Sequence, residues 1–317
     1  MTVKWQGIYP ALTTKFTEDD RLDLSFFEKN LDAQLKAGID GLILAGSLGE
    51  ASSLAEEEKC ELVKHAVQLV ESEKPVILNI AEQTTSSAVK QAKDAQSWGA
   101  SGIMMLPPMR YNATDEETVA YFSAVADATD LPIMIYNNPI DYKIDVNLDM
   151  LEELTQHDNI QAIKESSRDV TNVTKLINRF GDRFKILSGV DTLALENLIL
   201  GADGWVAGLG CAFPEETVAI YRLVLANRIK EAVEIYRWFF PLLELDVSPQ
   251  LVQNIKLAEA QTGLGTEYMR KPRLPLSGQE RERVLNIINE AIAHRPKLLQ
   301  YQNLNGQDVY KDQKQHV

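Results

Sequence analysis

GLILAG (residues 41–46), the amphipathic run Ala55–Val70 and PVILNIA (residues 75–81) read in order as strand, helix, strand. Apolar residues in the middle segment recur at three- and four-residue spacing, the period of a helix with one buried face. The flanking runs are short and apolar, as strands covered on both faces are. Ser53 with Glu56 reads as a capping box that opens the helix.

The same alternation extends in both directions. GIYPALT (7–13) precedes this unit. GIMMLPP (102–108), PIMIYNNP (132–139), IQAIKES (160–166), FKILSGVD (184–191) and GWVAGLG (204–210) follow it. Helical patterns at Leu24–Leu35, Ala88–Trp98, Glu116–Ala128 and Val170–Phe180 separate several of these runs. Eight strand–helix units predict an α/β chain folded as a closed (β/α)₈, or TIM, barrel. The competing open, doubly wound sheet loses its usual support, because no G-x-G-x-x-G follows the first strand. Residues 1–226 are expected to form the barrel. Residues 227–297 read as a C-terminal helical region, with helices at Arg228–Phe240, Val252–Gln261 and Gly278–His294. Such an appendage is expected on the barrel's outside or at an oligomer interface. Residues 298–317 are polar and unpatterned, as expected of a flexible tail.

Composition narrows the function. The 317 residues are 45% hydrophobic and 25% charged, ordinary globular proportions that argue against disorder. Lys and Arg number 32 against 46 Asp and Glu, a formal net charge of -14. That charge repels a phosphate backbone and an anionic membrane surface, so neither nucleic acid nor membrane is expected as a partner. Cys60 and Cys211 lie far apart with no metal-site spacing, which suits a reducing compartment. The N-terminal segment lacks a signal pattern, and no apolar run approaches about 18 residues. A cytoplasmic protein is expected.

In such a barrel the site lies at the C-terminal ends of the strands. Lys164 follows the apolar Gln161–Ile163 segment, so its stem points into or just above the core. A desolvated lysine loses its proton more easily and can form an imine with a carbonyl substrate. A surface lysine, or one paired with Glu165, is the plain alternative. Tyr136, at the end of the neighbouring strand, can shuttle protons to that imine or simply pack in the core. The Gly46–Glu50 loop offers backbone N–H groups and the Ser47 hydroxyl to a carboxylate, although glycine turns are common. Ser166, two residues beyond Lys164, faces the same side of its strand and can meet a substrate hydroxyl. His65, His157, His294 and His316 fall on helices or the tail. No metal motif appears, so no metal is expected.

Together these pieces resemble the dihydrodipicolinate synthase / N-acetylneuraminate lyase family over nearly the whole chain. The carriers are Gly46-Ser47-Leu48-Gly49-Glu50, Tyr136-Asn137-Asn138-Pro139, Ile163-Lys164-Glu165 and Ser188-Gly189-Val190-Asp191. The resemblance implies a lysine-imine aldolase or dehydratase with Lys164 as the imine lysine, Tyr136 as its proton carrier, and no cofactor beyond that covalent imine. It implies substrate contacts from Gly46, Ser47, Asn138, Ser166 and the Val206 carbonyl, and a homodimer or homotetramer. Leu48 replaces the family loop's second hydroxyl. Asp141 stands where the synthases carry a carboxylate-gripping arginine, which disfavours 4-hydroxy-tetrahydrodipicolinate synthase chemistry. The family's relay tyrosine, lent by a neighbouring subunit, has no aligned equivalent; Arg110 and Tyr111 are the candidates to replace it. WQGIYPALTT, PPMRY, YNNP, KESS and RLPLSG are similar to a catabolic subgroup of hydroxyproline degradation, the 1-pyrroline-4-hydroxy-2-carboxylate deaminases. The expected substrate is therefore a small 2-oxo acid or cyclic imino acid. Three alternatives stay open: an aldolase or dehydratase of 2-keto-3-deoxy sugar acids, a barrel that binds an oxo acid without turnover, and a metal enzyme using Glu165 and Asp191.

Overall fold

Eight strands form where alternation places them: β1 (Gly7–Pro10), β2 (Leu42–Leu44), β3 (Val76–Ile80), β4 (Gly102–Met105), β5 (Ile133–Asn137), β6 (Ile160–Glu165), β7 (Lys185–Ser188) and β8 (Gly204–Ala207). The computed structural model describes residues 3–71 and 73–298; most of the proposed tail, residues 299–317, lies outside them. All strand pairs are parallel, in the order β1-β8-β7-β6-β5-β4-β3-β2. The seam between β1 and β2 closes just past the end of β1. Ala11 bridges Ile43 in parallel, and the Leu12 N–H donates to the Ile43 carbonyl at 2.9 Å. The result is the expected (β/α)₈ barrel.

Alternation along the strands sorts side chains into two layers. Ile43, Ile77, Met104, Met134, Ala162, Leu187 and Val206 fill the barrel interior, with Trp5 and Tyr9 among them. The intervening positions, such as Leu42, Leu44, Ile135 and Ile163, meet the helices outside. Tyr136 and Lys164 occupy the same phase as Met134 and Ala162, and they are direct partners in the β5–β6 register. That places both at the interior's upper rim.

The barrel helices are α1 (Leu24–Ala37), α2 (Glu56–Leu69), α3 (Thr85–Trp98), α4 (Asp115–Ala126), α5 (Pro139–Tyr142), α6 (Leu148–Leu154), α7 (Thr171–Phe180), α8 (Ala194–Ile199) and α9 (Pro214–Leu225). The capping box expected of Ser53 and Glu56 does not form. Ser53 ends a 3₁₀ turn, Ala51–Ser53, and its hydroxyl donates to the Glu50 carbonyl at 2.9 Å. The α2 N-cap is Ala55, whose N–H donates to Glu58 at 2.9 Å; alanine has no side-chain oxygen to complete the box. A complete box does open α4, where Thr114 and Glu117 exchange bonds of 2.8 and 3.2 Å.

The C-terminal region supplies α10 (Ile229–Leu243), α11 (Leu251–Thr262) and α12 (Gly278–Ala293). It does more than pack outside. The segment joining α10 to α11 crosses the barrel mouth, where Asp246, Val247 and Leu251 face the cavity. Among the described residues, no helix is long and apolar enough to cross a membrane.

Candidate active site

The strand register brings Lys164 and Tyr136 together. The Lys164 ammonium nitrogen lies 3.8 Å from the centre of the Tyr136 ring, and both residues are 7% exposed. Burial holds the lysine below its ordinary pKa, opposed by the negative potential of Tyr142, Asp246, Asp191 and Asp141. Burial pushes the Tyr136 phenol up to about 12. The pair therefore holds a neutral phenol beside an amine that sheds its proton early, the state imine formation requires. Glu165, next in sequence, points to the opposite face and accepts from the Ser167 N–H at 2.6 Å. It does not pair with Lys164. Gly189 makes the lysine's position possible: a Cβ there would fall 2.7 Å from Lys164 Cε and 2.0 Å from Ser166 Oγ.

Around this pair the mouth closes on a cavity of about 90 Å³. At roughly 10–15 Å³ per water, it takes a ligand of about six to nine heavy atoms. Gly46, Ser47, Leu48, Asn138, Ser166 and Val206 all line it. Asn138 Nδ2 donates to the Tyr136 hydroxyl at 3.2 Å, leaving that hydroxyl's own proton free for another acceptor. The Ser166 hydroxyl is buried with no partner of good geometry among the described residues, so it is available to a ligand. Ser47 is exposed to the cleft, and its hydroxyl bonds to the hydroxyl of Tyr142.

Neither Arg110 nor Tyr111 lines the cavity of this chain; Tyr111 is 54% exposed. Tyr142 and Arg168, which sequence reasoning missed, do. Tyr142 ends the single-turn α5 and stands edge-on to Tyr136, ring centres 5.6 Å apart, with burial raising its phenol. One helical turn after Pro139 carries it back over the barrel, and Pro at the first helical position was the available signal. Arg168 follows β6 in the left-handed region, φ 64°, where a non-glycine residue is strained. It lies 3.9 Å from Asp141. The wall is thus not without an arginine; the guanidinium comes from β6 rather than from the segment after β5. Asp246 had no local signal, being delivered from beyond the barrel.

The Gly46–Glu50 loop is held from below by the C-terminal region. Glu50, fully buried and at φ 55°, pairs with Lys256 of α11 at 2.5 Å, and the Arg270 N–H donates to it at 3.2 Å. Asp191 clamps the end of β8, accepting from Trp205 Nε1 at 2.8 Å and from the N–H groups of Gly208 and Leu209 at 3.1 and 2.8 Å. Glu165 and Asp191 are therefore not brought together. Among the described residues no group of three or more His, Cys, Asp or Glu side chains is gathered to hold a metal.

The family model described as the dihydrodipicolinate synthetase family matches residues 4–291. A 4-hydroxy-tetrahydrodipicolinate synthase of Exiguobacterium sibiricum is 34% identical over 276 residues, 87% of this chain and 93% of that one. The solved 4-hydroxy-tetrahydrodipicolinate synthase of Methylacidiphilum fumariolicum SolV has a TM-score of 0.88 at 30% identity, covering 94% of this chain and 99% of that one. The pyruvate complex of the Acinetobacter baumannii dihydrodipicolinate synthase has a TM-score of 0.87 at 26% identity, covering 91% and 99%. The chain belongs to the dihydrodipicolinate synthetase family, a family of class I aldolases and lyases.

Proposed function

We propose that the protein is a cytoplasmic lysine-imine lyase that removes water from a small 4-hydroxylated 2-oxo or cyclic 2-imino acid, with 1-pyrroline-4-hydroxy-2-carboxylate as the leading substrate. The observation that carries this reading is the buried Lys164 amine against the Tyr136 ring, in a cavity sized for a small acid. Lys164 attacks C2 and opens the ring. Tyr136 relays protons, giving its own to the departing ring nitrogen and then, as phenolate, taking the C3 proton as the imine becomes an enamine; the 4-hydroxyl departs as water. A C5 proton then moves to C3 and an amine proton to C4, turning the C5 amine into an imine, and hydrolysis at C5 and C2 releases ammonia and 2-oxoglutarate semialdehyde and frees Lys164. Ser47 and the loop N–H groups hold the carboxylate end, the Val206 carbonyl meets the bound acid away from its carboxylate, and Ser166 and Asn138 read hydroxyls. No cofactor is called for beyond the covalent imine. A homodimer or homotetramer is the expected assembly, in which Tyr111, exposed in the single chain, would be free to meet a neighbour.

A second reading is favoured by Arg168. A guanidinium in the wall can grip the second carboxylate that 4-hydroxy-tetrahydrodipicolinate synthesis requires, the activity named for the relatives above. Asp141, 3.9 Å away, offsets that charge, and for this reason we place the synthase second.

The test is incubation with freshly prepared 1-pyrroline-4-hydroxy-2-carboxylate, with Lys164→Ala alongside. Lys164-dependent ammonia supports the deaminase. Turnover of pyruvate and aspartate semialdehyde instead supports the synthase, and pyruvate release from a 2-keto-3-deoxy sugar acid supports an aldolase. If borohydride traps no pyruvate on Lys164, the barrel binds without turnover and the reading is lost.

A further inference from the structure

The mouth of the barrel carries a second acid that neither the imine nor the carboxylate loop uses. Asp246 reaches it from the segment between α10 and α11 and faces the same cavity as Lys164, Tyr136 and Ser166. Its place is made by Gly208 at the end of β8. A Cβ on that glycine would fall 2.3 Å from Asp246 Oδ1, so any larger residue would push the carboxyl out of the cavity.

The backbone of Gly208 separates Asp246 from Asp191, and the two acids have unlike surroundings. Asp191 is fully buried and accepts three N–H donors, from Trp205, Gly208 and Leu209. Three donors favour the ionised form. Asp246 has no hydrogen-bond donor among the described residues and is partly open to the cleft. Two neighbouring carboxyls with unlike environments divide one proton between them unevenly, and the unsatisfied member keeps it. Burial, then the charge of Asp191, holds Asp246 well above the usual carboxylate range; Asp141 adds to this, while Lys164 and Arg168 oppose it. Burial raises Asp191 as well, but its donors counter that rise.

We infer that Asp246 is a catalytic acid, donating a proton to the hydroxyl that leaves the Lys164-bound substrate. The step balances as follows. The enamine nitrogen pushes its electron pair through C2–C3, a C3–C4 double bond forms, and the C4–O bond breaks. The oxygen takes the proton from Asp246 and leaves as water. The imine is restored, and the Asp246 carboxylate regains its proton from solvent before the next turnover. This inference rests on the imine reading of Lys164, and it gives the C-terminal region a chemical role in the barrel's site.

The test separates the two. Borohydride trapping with pyruvate reports the imine, and turnover of the 4-hydroxylated substrate reports the elimination. Asp246→Asn keeps the size and polarity of the neutral acid but cannot donate an acidic proton. Trapping is expected within about threefold of wild type, with turnover down by about 10²–10⁴, the usual worth of a positioned acid. Asp246→Glu, which restores the acid, is expected to recover at least tenfold over Asp246→Asn. With 4-chloro-2-oxobutanoate, whose chloride leaves without protonation, Asp246→Asn is expected to release chloride within threefold of wild type. Turnover of the hydroxylated substrate within tenfold of wild type, or a trapping loss matching the turnover loss, would overturn the role. Failure of the wild type itself to trap would sink the imine reading, and this inference with it.

Discussion

Lys164 shows at the scale of one residue how a site trades stability for chemistry. A lysine held below its ordinary pKa of 10.5 contributes stability only above that value and loses it as pH falls. At neutral pH its burial therefore costs stability. Lys164→Met, which keeps the stem and removes the amine, should unfold at a higher temperature than wild type at pH 7, by about 1 kcal/mol or more. The gap should close as pH rises toward 10.5, and activity should fall by about 10³ or more. Calorimetry across pH 7–10 checks the first part; an equal or lower midpoint at pH 7 would refute it. Gly189 gives the complementary case. Its Cβ would occupy the space of Ser166 Oγ and Lys164 Cε, so Gly189→Ala displaces the amine. We expect about 1–3 kcal/mol of destabilisation from overpacking, with imine trapping lost at temperatures where the protein is still folded.

At the scale of the element, the strands were legible because each carries its own period and the site lies at strand ends. Lys164 and Tyr136 could be placed by phase alone, and the structure pairs them in register. The Ser53–Glu56 cap was misread because a three-residue pattern says nothing about the 3₁₀ turn that moves the N-cap two residues on, to Ala55. Tyr142 and Arg168 sat within a few residues of recognised motifs, yet their direction depends on one helical turn and one left-handed residue. The loop Gly46–Glu50 also depends on something distant, the buried Lys256 of α11. Burial holds that lysine down to about 8 against an ordinary 10.5, with Glu50 opposing the shift. Between those values the unfolded chain binds the extra proton, so stability should rise as pH goes from about 8 to 10. Lys256→Met should flatten this rise. It should also cost about 3–5 kcal/mol at pH 7 by leaving Glu50 buried with its nearest cation gone, Arg273 being 3.8 Å away. Urea melts at pH 7, 8, 9 and 10 decide the matter; parallel curves for the two proteins would contradict it.

Across the whole molecule, buried ion pairs cross the expected division at residue 226. Two buried charges in the barrel's first quarter find their nearest opposite charges in α11. Lys15 pairs with Glu259 at 2.6 Å, the two side chains 1% and 0% exposed, and Thr13 and Asn30 also donate to that carboxylate at 2.7 and 3.2 Å. Glu50 pairs with Lys256 in the same way. A fragment ending at residue 226 would strand Lys15 and Glu50 in apolar surroundings. Breaking one buried pair costs about 3–5 kcal/mol, so two cost about 6–10, against a typical total stability of about 5–15 kcal/mol. The fragment would also expose the face of α9 that α10 covers. We therefore expect residues 1–226 alone to show no cooperative thermal transition by circular dichroism, while residues 1–298 melt as one unit. If the fragment alone melts cooperatively, the barrel is an independent domain and these pairs are not what joins it to the helices. A single transition in residues 1–298 would mean that the acid, the loop and the imine lysine are held by one folding event. In that case the C-terminal helices belong to the active site as much as the strands do.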